Sequence, residues 1–193
     1  MLLIRSISYY MTLFVLLSYL MVCSTTALAD TPFDHQAWNF VSGTGNILYL
    51  ATGVALPLFE DGKRGVNHSL RTADALGSSV LLSEGLKSLF QEKRPDSNAH
   101  DSFPSGHSTA AFSVATIESG LHPKQAIYWY TGAALIAASR VGLHRHTVGD
   151  TLAGAALGYG IARLELSSRR GLLLAPIIRP ETHTYGFALS KSF

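Results

Sequence analysis

Apolar residues recur at helical spacing in five stretches of the chain, about Gly45 to Phe59, Ser69 to Phe90, Ser105 to Ser119, Lys124 to Leu143 and Thr147 to Leu166. Turns rich in Gly, Pro, His and Asp separate them, so the pattern predicts a bundle of helices. From Ala73 to Leu89, the apolar Ala73, Leu76, Val80, Leu81, Leu86 and Leu89 alternate with Asp74, Ser78 and Glu84. That spacing predicts an amphipathic helix rather than a lipid-facing span. Thr131 to Ala138 and Leu152 to Ile161 are rich in Ala and Gly, a composition that lets helix backbones approach closely. The tail changes character: Leu172 to Ile178 and Tyr185 to Phe193, divided by Arg179-Pro180-Glu181-Thr182, predict a short strand pair.

The N-terminus follows another pattern. Arg5 precedes an apolar run from Tyr9 to Val22, and small and polar residues then lead to Ala27-Leu28-Ala29 before Asp30. This predicts a secretory signal peptide over residues 1–29, followed by one domain over residues 30–193. The alternative is an uncleaved membrane anchor, because the run and its flanks nearly reach the length needed to cross a hydrocarbon core of about 30 Å. Cys23 is the only cysteine and lies in this segment, with the bulky Val22 before it arguing against lipid attachment. Cleavage would leave no thiol, which excludes disulfides, thiolate metal sites and a cysteine nucleophile.

A length of 193 residues suits one core. The net charge of +2 is mild, and the tight basic pairs Lys63-Arg64 and Arg169-Arg170 have no aromatic residues interleaved. These features argue against nucleic acid as a partner. A hydrophobic share of 47% and a mean hydropathy of +0.21 leave a membrane role open.

Three short stretches carry candidate chemistry. In Lys87-x6-Arg94-Pro95, two cations seven residues apart can share one helix face, and Pro95 marks the exit. Their plain explanation is compensation of a helix dipole. Pro104-Ser105-Gly106-His107 precedes an apolar run, so it predicts a helix start whose free N–H groups can bind an anion; the plain alternative is a Ser cap. Phe103 stands where the serine-hydrolase turn requires Gly. In Ser139-Arg140-x5-His146-x3-Asp150, the His and Asp are spaced i,i+4. A carboxylate at one imidazole nitrogen would free the other for attack, while Asp150 also fits a capping box with Thr147. Together the stretches supply what phosphoryl transfer asks of a protein: positioning, positive charge on the equatorial oxygens and proton management.

In residue types, order and spacing the three stretches resemble the signature motifs of the type 2 phosphatidic acid phosphatase superfamily, which also includes class A acid phosphatases and vanadium haloperoxidases. The resemblance covers about Lys87 to Asp150 directly. It implies an all-α bundle of five to six helices with the site at helix ends, and a two-step displacement without metal or cofactor. His146 would be the nucleophile, oriented by Asp150, and His107 would protonate the leaving oxygen and then activate water. Lys87, Arg94 and Arg140 would hold the phosphate oxygens together with the main chain around Ser105 and Gly106. The expected substrate is a phosphorylated lipid or another small phosphate ester, handled outside the cytoplasm at a membrane surface. An integral protein, a broad-specificity acid phosphatase, a vanadate-dependent haloperoxidase and a non-catalytic phosphate binder are the alternatives.

Among the other histidines, His144 does not form a metal pair with His146, because the intervening Arg145 and neighbouring cations disfavour a divalent ion. His100 and Asp101 are expected at the site entrance. His35, His68, His122 and His183 are expected at the surface or in turns.

Overall fold

The computed structural model describes residues 32–168, 174–179 and 184–189. The expected leader, residues 1–29, and His183 lie outside them. Helix α1 (Pro32–Phe40) passes through a π-helical turn at Val41–Gly45 into α2 (Asn46–Glu60). A 3-10 turn at Gly62–Arg64 leads to α3 (Gly65–Phe90), and a loop then carries the chain to α4 (Gly106–Leu121). A second 3-10 turn at Pro123–Gln125 opens α5 (Ala126–Gly142), and α6 (Val148–Ser167) follows. Strands β1 (Leu174–Arg179) and β2 (Thr184–Leu189) pair antiparallel, Leu174 opposite Leu189 and Arg179 opposite Thr184. The all-α bundle and its short C-terminal hairpin match the expected architecture. Helix α1 was not expected from its polar sequence; Trp38 packs over Gly142 of α5, so a tertiary contact holds it in place.

Local chemistry sets the ends that matter for the site. Helix α3 stops where Gln91 turns left-handed (φ 47°), its N–H returning to the Lys87 carbonyl at 3.0 Å. Helix α6 starts at a capping box: Thr147 Oγ1 accepts from the Asp150 N–H at 3.1 Å, and Asp150 Oδ2 accepts from the Thr147 N–H at 2.8 Å.

Helix α4 runs through the middle of the bundle. Its Ala111, Val114 and Ala115 pack with Leu56, Trp129, Ala133 and Ile136, and its Ile117 packs with Ala75 and Ala162. Much of the remaining interior is hydroxylic, with Thr72, Ser79, Ser83, Ser108, Thr109 and Ser113 all fully buried. Helix α3 has the two faces that its spacing predicts, but they are reversed relative to a water-facing helix. Ser69, Thr72, Asp74, Ser78, Ser79 and Ser83 point inward, while Leu70, Val80 and Leu81 point outward. Periodicity identifies two faces and not which one is buried. Exposed Ile47, Phe59, Ile127, Leu152 and Tyr159 extend this apolar exterior over α2, α5 and α6.

At the end of the bundle away from Lys87, polar groups tie the helices together. Asp61 accepts from His68 Nδ1 and, at 2.8 Å, from His122 Nε2. His122 Nδ1 faces Glu118 Oε2 at 3.2 Å, and Thr72 donates to Glu118 Oε1 at 2.8 Å. Arg71 of α3 donates to Glu165 of α6 at 2.9 Å. His122 lies in the turn after α4, as expected, and His68 lies in α3; both are half-buried ties, because each finds the Asp61 carboxylate on another element. His35 is exposed, as expected.

Helices α4 and α6 touch backbone to backbone. A Cβ on Gly158 would stand 2.1 Å from the Thr109 carbonyl oxygen, and one on Gly154 would stand 2.5 Å from that of Ser105. No rotamer change relieves a clash with main chain, so the helices themselves would have to part. Gly158→Ala is expected to destabilise the fold by about 3 kcal/mol or more, the upper end of overpacking costs. Chemical or thermal denaturation checks this, and wild-type stability in the variant would contradict the close approach.

Candidate active site

Lys87, Arg94, Gly106, His107, Arg140 and His146 line one cavity of about 500 Å³, together with Asn39, Ser42, Gly43, Val80, Glu84, Leu143 and Arg145. Each side chain arrives from a helix end or from a loop pinned to one. Lys87 sits in the last turn of α3 and His107 in the first turn of α4, while Arg140 lies in the last turn of α5. Arg94 reaches the cavity from the loop and not from the α3 face that its spacing suggested, because the left-handed Gln91 has already ended the helix. The loop is held by Phe103 edge-on against Phe90, ring centroids 5.1 Å apart, and by the Arg94 N–H donating to the Ala99 carbonyl at 2.9 Å.

The cations differ in how they are satisfied. Lys87 Nζ pairs with Glu84 Oε1 at 2.7 Å. The Arg94 guanidinium grips Asp101 with two bonds, of 2.7 and 2.8 Å, which holds the Asp101 carboxyl below its ordinary pKa and raises that of Arg94. Arg140 is almost wholly buried; its Nη1 donates to Ser42 Oγ, and its Nε is buried without a hydrogen-bond partner among the described residues. Burial pulls the Arg140 pKa down to about 10, with the charges of Arg145 and Arg94 adding to the effect. An unsatisfied guanidinium N–H of a buried cavity-lining arginine suits an anionic oxygen. Arg145 is a further cation on the lining that the sequence reading set aside, and its Nε pairs with Asp96 at 3.1 Å.

The histidines sit in the field of these cations. Burial brings His107 down to about 4, with Arg140, His146, Lys87 and Arg94 pushing the same way. His146 is likewise lowered to about 4, first by burial and then by Arg140 and Arg94, with the Asp150 charge opposing. Both rings are therefore neutral in the free site at pH 7. His146 Nδ1 lies 2.9 Å from the Ser102 carbonyl oxygen. Since a carbonyl only accepts, Nδ1 carries the hydrogen, and the lone pair resides on Nε2.

Asp150 stands behind His146 and is fully buried, 3.7 Å from Nδ1 to Oδ2, longer than a hydrogen bond. Its Oδ2 instead accepts from the Thr147 N–H and from Ser102 Oγ, the latter at 2.7 Å. The capping alternative is thus the one with direct bonds. Ser105 also lies one layer back: it is fully buried, and its N–H donates to the Asp150 carbonyl at 3.0 Å. Gly106 borders the cavity at that corner, where Lys87 Nζ would stand 3.3 Å from an added Cβ. His100 Nδ1 lies 3.0 Å from the Gln91 carbonyl oxygen, and His144 is exposed, so neither joins the cavity.

Ser42, Asn39 and Ser102 were not foreseen. Asn39 and Ser42 belong to the unpredicted α1 and the turn after it, and Ser102 carries no signal beyond its place two residues before Pro104.

The chain is similar to known proteins in sequence and in fold. Over 125 residues the chain is 33% identical to a lipid A 1-phosphatase of Porphyromonas gingivalis, covering 62% of this chain but 27% of that protein. The fold is similar to that of a transmembrane PAP2 type phosphatidylglycerolphosphate phosphatase from Bacillus subtilis, with a TM-score of 0.54 at 22% identity over 81% of this chain and 92% of that one. The family model of the PAP2 superfamily matches residues 70–171, more than half of the chain and the segment that brings all three motifs to the cavity. The chain belongs to the PAP2 superfamily.

Proposed function

We propose that the protein is a metal-independent phosphatase that hydrolyses a lipid-linked phosphomonoester or diphosphate through a phosphohistidine. The observation that carries this reading is the cavity itself, where two neutral histidines and the half-satisfied Arg140 face a space ringed by further cations. In the first step His146 Nε2 attacks phosphorus. The bond to the leaving oxygen breaks, and His107 gives that oxygen a proton. In the second step His107 takes a proton from water, whose oxygen displaces His146 and completes inorganic phosphate. Lys87, Arg94, Arg140 and the Gly106 N–H hold the equatorial oxygens, a role that fixed cations can fill in place of a metal ion. For Lys87 and Arg94 the phosphoryl group must compete with Glu84 and Asp101.

The apolar exterior supports a lipid substrate and a membrane-associated protein. Outward-facing side chains are uncharged across the middles of α2, α3, α5 and α6, while polar groups fill the interior, the distribution expected where the surroundings are apolar. Among the described residues, one stretch, His35–Glu60, is long and apolar enough to cross a bilayer. The lipid phosphate named for the Porphyromonas relative is of the same substrate class. Export through a cleaved segment at residues 1–29 would place the site outside the cytoplasm, with retention of that segment as an anchor the alternative. A broad-specificity acid phosphatase is separated from this reading by comparing soluble and lipid phosphate esters.

Phosphate release from phosphatidic acid, an isoprenyl diphosphate and lipid A, measured with and without EDTA, tests the reaction. Unchanged rates in EDTA and a loss of ~10⁴ or more in His146→Ala are expected; inactivation by EDTA or near-normal turnover of the variant would overturn the mechanism.

The pH dependence follows from the two lowered histidines. The free site reacts with His146 neutral and His107 protonated, and this one-proton state is most populated near the common value of about 4. The kcat/KM is therefore expected to rise as pH falls from 7 toward 5. A bound phosphoryl anion raises His107, so kcat should peak at higher pH than kcat/KM. Steady-state kinetics across this range check both, and a kcat/KM that rises from pH 5 to 8 would contradict the assignment.

A further inference from the structure

We propose that Ser102 is the positioning residue that fixes the tautomer of His146, and that Asp150 acts on the nucleophile through it. This rests on the proposed role of His146 and goes beyond it. Ser102 is fully buried in the loop before α4, and every polar group it has is engaged. Its N–H donates to the Glu92 carbonyl at 2.9 Å, its Oγ donates to Asp150 Oδ2 at 2.7 Å, and its carbonyl receives His146 Nδ1–H at 2.9 Å. The contact from Ser102 Oγ to Nδ1 is 3.5 Å and that from Asp150 Oδ2 is 3.7 Å, both weaker than the carbonyl bond.

The chain of contacts has a direction. Asp150 is fixed by the α6 cap, it holds the Ser102 hydroxyl, and this anchors the peptide whose oxygen selects the Nδ1–H form of the imidazole. The Nε2 lone pair is thereby presented to the cavity whether or not a carboxylate stands beside the ring. The Asp150 charge still favours the imidazolium-like phosphohistidine from 3.7 Å, but the tautomer does not depend on it.

Two substitutions separate this arrangement from a direct His–Asp pair. Asp150→Asn keeps an oxygen for both the Thr147 N–H and the Ser102 hydroxyl, so the tautomer should survive and kcat should fall by only ~10-fold. Where a carboxylate itself sets the tautomer, the same change costs about 10⁴. Ser102→Ala keeps the carbonyl but frees the peptide from Asp150; kcat should fall ~10-fold with KM within about threefold, as for lost orientation without lost binding.

The ¹⁵N resonances of the His146 ring in full-length protein provide a readout independent of turnover. They should show a protonated Nδ1 and an unprotonated Nε2 near pH 7 in wild type and in Asp150→Asn. A protonated Nε2 in either protein, a 10⁴ loss in Asp150→Asn, or wild-type kcat in Ser102→Ala would overturn the proposal. An active His146→Ala would refute the nucleophile assignment instead, while leaving the tautomer measurement interpretable.

Discussion

Helices α4 and α6 lie so close at Gly154 and Gly158 that main chain meets main chain, and the geometry of the site follows from that contact. The approach brings the first turn of α4, with His107, against the cap of α6, where His146 and Asp150 reside. It also lets the Ser105 N–H reach the Asp150 carbonyl, so the two helix starts are bonded directly to one another. A larger interior side chain on either helix would move His107 relative to His146, and proton transfer and attack tolerate displacements well below a helix diameter. The hydroxyl-rich interior suits the same constraint, since Ser and Thr fill little space.

Charge is the second constraint. The cavity gathers Lys87, Arg94, Arg140 and Arg145, and such a concentration is stable only if partners answer it. Glu84, Asp101 and Asp96 each take one cation, leaving the buried Arg140 incompletely satisfied. Burial first, and the uncompensated part of the field second, keep the histidines neutral. In the proposed reaction an entering phosphoryl group would supply the missing negative charge and draw a proton onto His107, so that substrate binding would itself prepare the acid.

The helices were legible because their apolar spacing is regular, and five of them appear close to where the spacing placed them. The motif residues were legible because each motif carries a residue type with few other uses in that order. What could not be read came from contacts between distant segments. Helix α1 depends on Trp38 meeting Gly142, and the ties of His68 and His122 depend on Asp61 of another element. The outward orientation of Leu70, Val80 and Leu81 depends on which side of α3 the bundle occupies. The i,i+4 spacing of His146 and Asp150 suggested a direct pair, yet the carboxylate is drawn to the α6 cap and to Ser102, and a carbonyl takes its place.

The central claim is that the phosphoryl group passes through His146. Acid-labile phosphohistidine is preserved by quenching turnover in alkaline denaturant, and peptide mass mapping then locates it. The account predicts one phosphoryl mass on the peptide that contains His146, absent when the peptide comes from enzyme without substrate. A phosphoryl group on Ser105 or His107, or an unmodified His146 during a demonstrated burst of leaving-group release, would contradict it.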